Sequence, residues 1–276
     1  MAGMLYLVPT PIGNLSDISP RCRQTLAEAD FIAAEDTRVS LKLLNHLELK
    51  KSLVSYHEHN KAESGEKILA RLLAGETCAL VTDAGSPAIS DPGEDLVRLC
   101  AEHGVTVCAI PGPCALVTAL SISGLPTGRF TFEGFLSVNK KSRQEHLTGL
   151  KDETRTMIFY EAPHKLLATL QDLSAAFGAE RKISLCRELT KLHEEVRRTT
   201  LGEAAAYYAE NPLRGEFVLV VAGAEEPAEE GCTFEGALAL VRARMDEGLS
   251  TKDAVKQVAK LTGFAKNQLY DAILKG

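Results

Sequence analysis

The chain has 276 residues, of which 45% are apolar, enough to bury a large core and to divide into two or more domains. A formal net charge of −6 excludes a protein that coats nucleic acid by bulk electrostatics and leaves room only for a local basic patch. Seven cysteines, an odd number with no C-x-x-C pair, point to free thiols rather than disulfides or a zinc site. With no membrane-length apolar run, and with Met1 to Leu7 too short for a signal-peptide core, a cytosolic globular protein is expected.

Met4 to Val8 reads as a strand that runs into Pro9-Thr-Pro-Ile-Gly-Asn-Leu15, a tight loop that is neither G-x-G-x-x-G nor a P-loop. Ser19 and Pro20 open a helix reaching about Asp30, with Cys22, Leu26 and Ala29 on one face. A second strand, Phe31 to Ala34, ends in Glu35-Asp-Thr-Arg38, and a helix carrying Leu41, Leu44 and Leu47 follows. The third strand, Leu53 to Tyr56, ends in His57-Glu-His-Asn60, and the amphipathic helix Lys61 to Leu73 leads on to the strand Cys78 to Thr82. That strand empties into the loop Asp83 to Gly93, too dense in Gly and Pro for helix or strand. Gly85 there lets the backbone approach a ligand, and Pro92 is placed in the first turn of the next helix with Asp91 as its cap. The fifth strand, Val105 to Ile110, runs into Pro111-Gly-Pro-Cys114 and the small-residue helix Ala115 to Ser123. Strands alternating with helices give a mainly parallel sheet, so these five loops share the carboxyl edge where open α/β sheets build ligand crevices.

Gly124-Leu-Pro-Thr-Gly128 breaks the chain and marks a domain junction. Beyond it come the strand Phe130 to Phe135, a basic loop Asn139-Lys-Lys-Ser-Arg143, and the strand Thr156 to Tyr160 ending in Glu161-Ala-Pro-His164. A helix with Leu166, Leu170 and Leu173 on its apolar face follows, then the strand Ile183 to Cys186, which leads to Arg187-Glu-Leu-Thr-Lys191. Phe217 to Val221 is a central strand closed by Gly223. Glu225 to Gly231 is acidic and Pro/Gly-rich, as in a linker, and three helical patterns follow over 234–245, 251–261 and 266–274. The last two, with Thr262-Gly263 at their turn, have helix-turn-helix proportions, and Lys252, Lys256 and Lys260 share one helix face. A lysine stripe of this kind is either a solvated face or an RNA contact. The expected division is an α/β domain over 1–123, a second over 124–224, a linker over 225–233 and a helical tail over 234–276.

Leu5-Tyr-Leu-Val-Pro-Thr-Pro-Ile-Gly-Asn-Leu15, Ala33-Ala-Glu-Asp-Thr-Arg38, His57-Glu-His-Asn60, Thr82-Asp-Ala-Gly-Ser-Pro87, Asp91-Pro-Gly93 and Ile110-Pro-Gly-Pro-Cys-Ala115 carry a resemblance in order and spacing. Together they resemble the bacterial ribosomal RNA small subunit methyltransferase I family of the tetrapyrrole methylase superfamily. Ser86 stands where many members carry Thr, and Glu58 where some carry Asp. The resemblance implies two α/β domains of the tetrapyrrole methylase type with a cleft between them, plus the helix-turn-helix-like tail. It also implies S-adenosylmethionine as methyl donor, the ribose 2′-hydroxyl of a cytidine in 16S ribosomal RNA as acceptor, and a homodimer, with no DNA, membrane or metal. The cofactor contacts it implies are Pro9, Thr10 and Pro11, the run Asp83, Ala84, Gly85, Ser86 and Pro87 with Ile89 and Ser90, and Pro113, Cys114, Ala115 and Leu116. Tyr160, Glu161, Glu188 and Thr190 complete that set from the second domain.

Methyl transfer to a ribose hydroxyl needs an aligned donor and loss of a proton from a weak acid. Glu35, Asp36, His57 and His59 are equal candidates for the base, histidine having the most suitable ordinary pKa. Helix capping with an ion pair is the competing role for Glu35-Asp36-Thr37-Arg38. Asp83 is placed to favour the sulfonium or to cap its loop by an Asx-turn, and the N–H groups opening the Ala115 helix to receive the donor's carboxylate. Arg38, Lys140, Lys141, Arg143 and the three tail lysines are the RNA-contact candidates. A tetrapyrrole C-methylase or a non-catalytic ribosome-assembly factor are the alternative functions.

Overall fold

A computed structural model of the chain describes residues 3–211, 215–225 and 233–275. It has two compact units, Met1–Ala224 and Glu225–Gly276. Most of the expected linker, 226–232, lies outside the described residues.

The first unit begins with a five-stranded sheet of β1 (Met4–Leu7), β2 (Phe31–Ala34), β3 (Ser52–Ser55), β4 (Cys78–Val81) and β5 (Thr106–Ala109). The order is β3-β2-β4-β1-β5 and every neighbouring pair is parallel. All four residues of β2 and of β4 are buried, as expected of central parallel strands covered on both faces. One face packs Leu5, Phe31 and Leu80 against Ile68 and Leu72 of α3 (Lys61–Leu73) and Leu96 of α4 (Glu94–Glu102). The other packs Ile32, Ala79 and Val81 against Cys22 and Leu26 of α1 (Pro20–Glu28) and Leu44 of α2 (Thr37–His46). The α1 start is as read: Ser19 Oγ accepts from Cys22 N–H at 3.0 Å and Pro20 fills the first turn. The α4 start is not. Its N-cap is Gly93, without a side-chain cap bond, which releases Asp91 from the capping role.

The second sheet contains β6 (Phe130–Phe135), β7 (Thr156–Glu161), β8 (Lys182–Arg187), β9 (Glu195–Thr200) and β10 (Phe217–Val221) in the order β6-β7-β10-β8-β9. Only β6 and β7 are parallel to each other, with a register shift between Phe132 and Gly134; the remaining pairs are antiparallel. The helices α7 (Leu166–Phe177) and α8 (Leu201–Glu210) supply Leu170, Leu173, Leu201 and Ala204 to one face. The helix α5 (Ala115–Ser123) covers the other, its Ala119 and Leu120 packing with Ile158, Cys186, Val218 and Val220. It follows the last strand of the first sheet directly, so its burial holds the two sheets together within this unit. A second tie is the loop after β1. A Cβ on Gly13 would stand 2.5 Å from Lys191 Cγ and 2.8 Å from Thr190 Oγ1, so only glycine permits the approach.

Three elements of this half differ from the reading by sequence. The run 139–143, expected as a basic loop, opens α6 (Lys140–Gly149), with Asn139 Oδ1 accepting from the N–H groups of Lys141 and Ser142. Leu147 is its one buried residue among those described, so it carries no apolar stripe to read. β9 and α8 are the other two; beside the first sheet, the 3-10 turn Leu15–Asp17 is a further addition to the elements expected.

The second unit consists of α9 (Phe234–Asp246), α10 (Thr251–Thr262) and α11 (Lys266–Lys275) around Ala237, Val241, Val255, Val258 and Leu269. Ser250 Oγ caps α10 by accepting from Asp253 N–H, and Gly263 (φ +75°) ends it. Among the described residues no helix is long and apolar enough to cross a membrane.

Candidate active site

A cavity of ≈ 480 Å³ lies where the carboxyl ends of the first sheet meet the second sheet. Its first wall is loop. The stretch 83–93 contains Gly85 (φ +90°), Ala88 (+66°), Ser90 (+66°) and Gly93 (+150°), backbone conformations that L side chains rarely adopt and that accumulate at working sites. This loop is braced from behind. Thr10 and Gly85 exchange N–H···O bonds of 2.9 and 3.0 Å, Thr10 Oγ1 donates to the Thr82 carbonyl at 3.1 Å, and Ser86 Oγ donates to the Pro113 carbonyl at 3.0 Å. The Pro9 ring fills the space beside Gly112, where a Cβ would stand 2.8 Å away. Asp83, Ala84, Gly85, Ser86, Ile89 and Ser90 therefore line the cavity, with Cys114 and Ala115, while Pro9, Thr10, Pro11, Pro87 and Pro113 stand outside the lining.

The second wall is strand and strand end: Phe135, Tyr160, Glu161, Cys186, Phe217 and Val218. Tyr160 Oη accepts from Leu116 N–H at 3.0 Å, so one of the helix-opening N–H groups expected to face a ligand is used within the protein. Burial pushes the Tyr160 phenol up to about 12, and its ring sits edge-on to Phe132 and Phe135 at 5.0 and 5.6 Å. Glu161 is 4% exposed. It accepts from its neighbour's N–H (Ala162) at 2.8 Å and from the Thr169 hydroxyl, which in turn accepts from Arg143 Nη2 at 2.8 Å. Arg143 also donates to Asp172 at 2.5 Å and is only 11% exposed, so this candidate RNA contact is an internal support of the cavity wall. Glu188 and Thr190 lie outside the lining, which takes Leu189 between them. Glu188 accepts from Lys191 Nζ and from Glu216 N–H, both at 3.0 Å, and Thr190 N–H donates to Glu194 at 2.6 Å.

Of the four base candidates, Glu35 alone lines the cavity. Burial and then Asp83 raise its carboxyl. Burial also raises Asp83, against the pull of the Asp36 N–H that donates to it at 3.1 Å. Asp91 joins these two in the cavity, pushed up to about 6 by burial and then by Glu35 and Asp83. Asp36 points elsewhere: it caps α2, accepting from Arg38 N–H at 2.8 Å and from the guanidinium at 3.1 and 2.7 Å. The Arg38 bonds bring its carboxyl down to about 2. The N-cap and ion-pair role weighed against catalysis for this segment is thus present in the structure at Asp36. His57 donates its N–H to Asn60 Oδ1 at 2.8 Å and buries an Nδ1 without a partner among the described residues. The exposed His59 ring lies 6.0 Å from it, and neither histidine lines the cavity.

Residues 4–205 match the family model described as Tetrapyrrole (Corrin/Porphyrin) Methylases, and residues 235–276 match the RsmI C-terminal HTH domain. Over 99% of its length the chain is 49% identical to the ribosomal RNA small subunit methyltransferase I of Synechocystis sp., covering 98% of that protein. It is 48% identical over 98% of its length to the protein of the same name from Halalkalibacterium halodurans, covering 94% of that one. The chain belongs to the ribosomal RNA small subunit methyltransferase I family. Its fold is the tetrapyrrole methylase α/β fold with a helix-turn-helix-like C-terminal domain. A solved relative in fold is the Thermus thermophilus uroporphyrin-III C-methyltransferase complexed with S-adenyl homocysteine, with a TM-score of 0.55 at 20% identity. That likeness covers 79% of this chain and 97% of the other.

In this member of the family several lining residues carried no signal in the sequence reading. Ile12 and Asp91 lay inside loops already singled out, but Phe135, Ala162, Pro163, Cys186, Leu189, Glu216, Phe217 and Val218 did not stand out as site residues. Most of these are ordinary strand or strand-end positions, and only the placement of one sheet against another makes them a wall. Of the remaining RNA candidates, Lys140 and Lys141 are exposed in the first turn of α6, and Lys252, Lys256 and Lys260 are exposed along α10. The Arg38 side chain is 87% exposed although its guanidinium is shared with Asp36.

Proposed function

We propose that this chain transfers the methyl group of S-adenosylmethionine to the ribose 2′-oxygen of a cytidine in 16S ribosomal RNA of the small ribosomal subunit. The observation that carries the reading is the 49% identity, over nearly the whole chain, to a ribosomal RNA small subunit methyltransferase I. The cavity fits the donor. It offers backbone along the Gly85 loop, aromatic rings at Phe135 and Tyr160, and carboxylates that suit a cationic sulfonium and ammonium.

When bound, S-adenosylmethionine supplies an electrophilic methyl group. The strained loop 83–90 and Ala115 orient the ligand, and the apolar side chains of Ile12, Leu189 and Val218 keep water from the site. Glu35 takes the 2′-hydroxyl proton or steadies the developing alkoxide charge by holding that hydroxyl. Its raised carboxyl makes it a stronger base than an ordinary carboxylate. Asp36, held ionised by Arg38, is a weak base and serves α2 instead. Exposed lysines on α6 and α10 and the exposed Arg38 contact phosphates. A homodimer and the domain limits 1–123, 124–224, 225–233 and 234–276 belong to the same reading.

The test offers radiolabelled S-adenosylmethionine and the chain two acceptors, small ribosomal subunits lacking the modification and a porphyrin precursor. Label in the 16S RNA is expected. Label in the porphyrin assigns the tetrapyrrole C-methylase reaction, and label in neither, with the donor bound, assigns a binding role in ribosome assembly.

A further inference from the structure

Glu35, Asp83, Asp91, Glu161 and Glu216 all line the cavity, and among the described residues no lysine, arginine or histidine does. Among the described residues, Glu216 is ion-paired with Lys191 at 3.2 Å, whereas Glu35, Asp83, Asp91 and Glu161 form no ion pair. Glu161 is held in place by two neutral donors, an N–H and a hydroxyl. Buried charges in folded proteins are ordinarily paired or bound to a cation. Of these four acids Glu161 is buried, Glu35 and Asp91 are partly buried and Asp83 is exposed, so a cationic ligand in the cavity meets negative charge that no ion pair within the described residues has neutralised. The donor offers such a lining two cations, its ammonium and its sulfonium, and its net charge exceeds that of the demethylated product by one.

The donor and its demethylated product share every group except one: sulfur is a cation in S-adenosylmethionine and a neutral thioether in S-adenosylhomocysteine. We propose that the unpaired carboxylates of this cavity, Glu35, Asp83 and Asp91 foremost, are the specificity device by which the protein favours the sulfonium donor over its neutral product. This rests on the methyl-transfer reading above. Before transfer the carboxylates face a sulfonium; afterwards the positive charge at sulfur is gone, the hydroxyl proton passes from Glu35 to solvent, and the acids again repel one another, which speeds product release. The titratable groups that act on Asp91 from the packed elements are Glu35 beyond β2, Asp83 beyond β4 and Tyr160 on β7, while Cys114 before α5 lines the same cavity. The Arg38 guanidinium acts on Asp83 from outside the lining, and the His57 ring near Glu35 also stands outside it.

The experiment is calorimetric titration of the full chain, without RNA, with S-adenosylmethionine and separately with S-adenosylhomocysteine, on wild type and on Asp91→Asn and Glu35→Gln. Asp91→Asn is expected to weaken S-adenosylmethionine about tenfold while leaving S-adenosylhomocysteine within about twofold, in keeping with a charge-specific effect. In wild type, affinity for S-adenosylmethionine falls as the pH drops through about 6, where Asp91 takes up a proton, and affinity for the product stays flat. Parallel loss of both ligands, no change in either, or equal pH dependence for both overturns the proposal while leaving the donor reading intact. Failure of wild type to bind either ligand overturns both. If a variant does not fold, the wild-type pH profiles of the two ligands decide alone.

Discussion

The wall of the cavity built from the first sheet consists of loops, whereas the wall built from the second consists of side chains on regular strands and their ends. In the first wall the shape comes from backbone in unusual conformations, at Gly85, Ala88 and Ser90, locked by the Thr10–Gly85 bridge and by Ser86 on Pro113. In the second it comes from Tyr160, Glu161 and Phe217, on strands whose backbone is ordinary and whose side chains are held by partners behind them. The difference predicts where each wall is fragile: the first at its glycines, the second at its supports.

The largest expected effect tests the first wall. Gly85→Val adds a β-branched residue at φ +90°, with the new Cβ 3.4 Å from Ile12 and 3.9 Å from the Pro113 carbonyl. The obstacle is thus the backbone angle more than a clash. Strain of about 1–3 kcal/mol, released by moving the loop, should cost S-adenosylmethionine about a hundredfold in affinity by calorimetry. Near-normal affinity in a folded variant would mean that the loop does not shape the site.

Arg143→Ala tests the second wall. It leaves Thr169 and Asp172 without their donor, and loss of such charged hydrogen bonds costs about 1.5–3 kcal/mol. Denaturant unfolding should show that loss, while the neighbouring Lys140→Ala, on an exposed side chain, stays within about 0.5 kcal/mol of wild type. Equal effects at the two positions would erase the distinction between a buried support and a surface charge. The smallest effect concerns α10. Lys252→Glu, Lys256→Glu and Lys260→Glu together should weaken binding to the small subunit by about tenfold and flatten its salt dependence by roughly 0.7–0.9 per lost contact. An unchanged slope would leave these lysines a solvated face and make Lys140 and Lys141 the leading phosphate contacts.

The same difference explains what could be read in advance. The strands of the first sheet are unbroken apolar runs such as Phe31-Ile-Ala-Ala34, and the loops between them are marked by Gly, Pro and Asp, so both the sheet and its polar edge were legible. In the second sheet β9 reads Glu-Val-Arg-Arg-Thr-Thr, an edge strand with two charged arginines, and α6 buries Leu147 alone among its described residues. Neither has the periodicity that announces an element. Tyr160 and Glu161 came into view only by resemblance, because nothing local distinguishes a strand end that faces a cavity from one that faces solvent. Arg143 misled for a related reason: it sits in the basic run Lys140-Lys141-Ser142-Arg143, and only the helix sends its side chain inward to Asp172 while the lysines stay outside. Asp91 was hidden behind a plausible capping role that Gly93 in fact holds.

The most direct test of the central claim is the position of the transferred methyl group. Small subunits lacking the modification would be incubated with the chain and labelled S-adenosylmethionine, and the 16S RNA then digested to nucleosides and weighed by mass spectrometry. The account predicts one cytidine whose added mass stays with the sugar fragment after the base is lost. Added mass on the base fragment, or on a nucleoside other than cytidine, would contradict it.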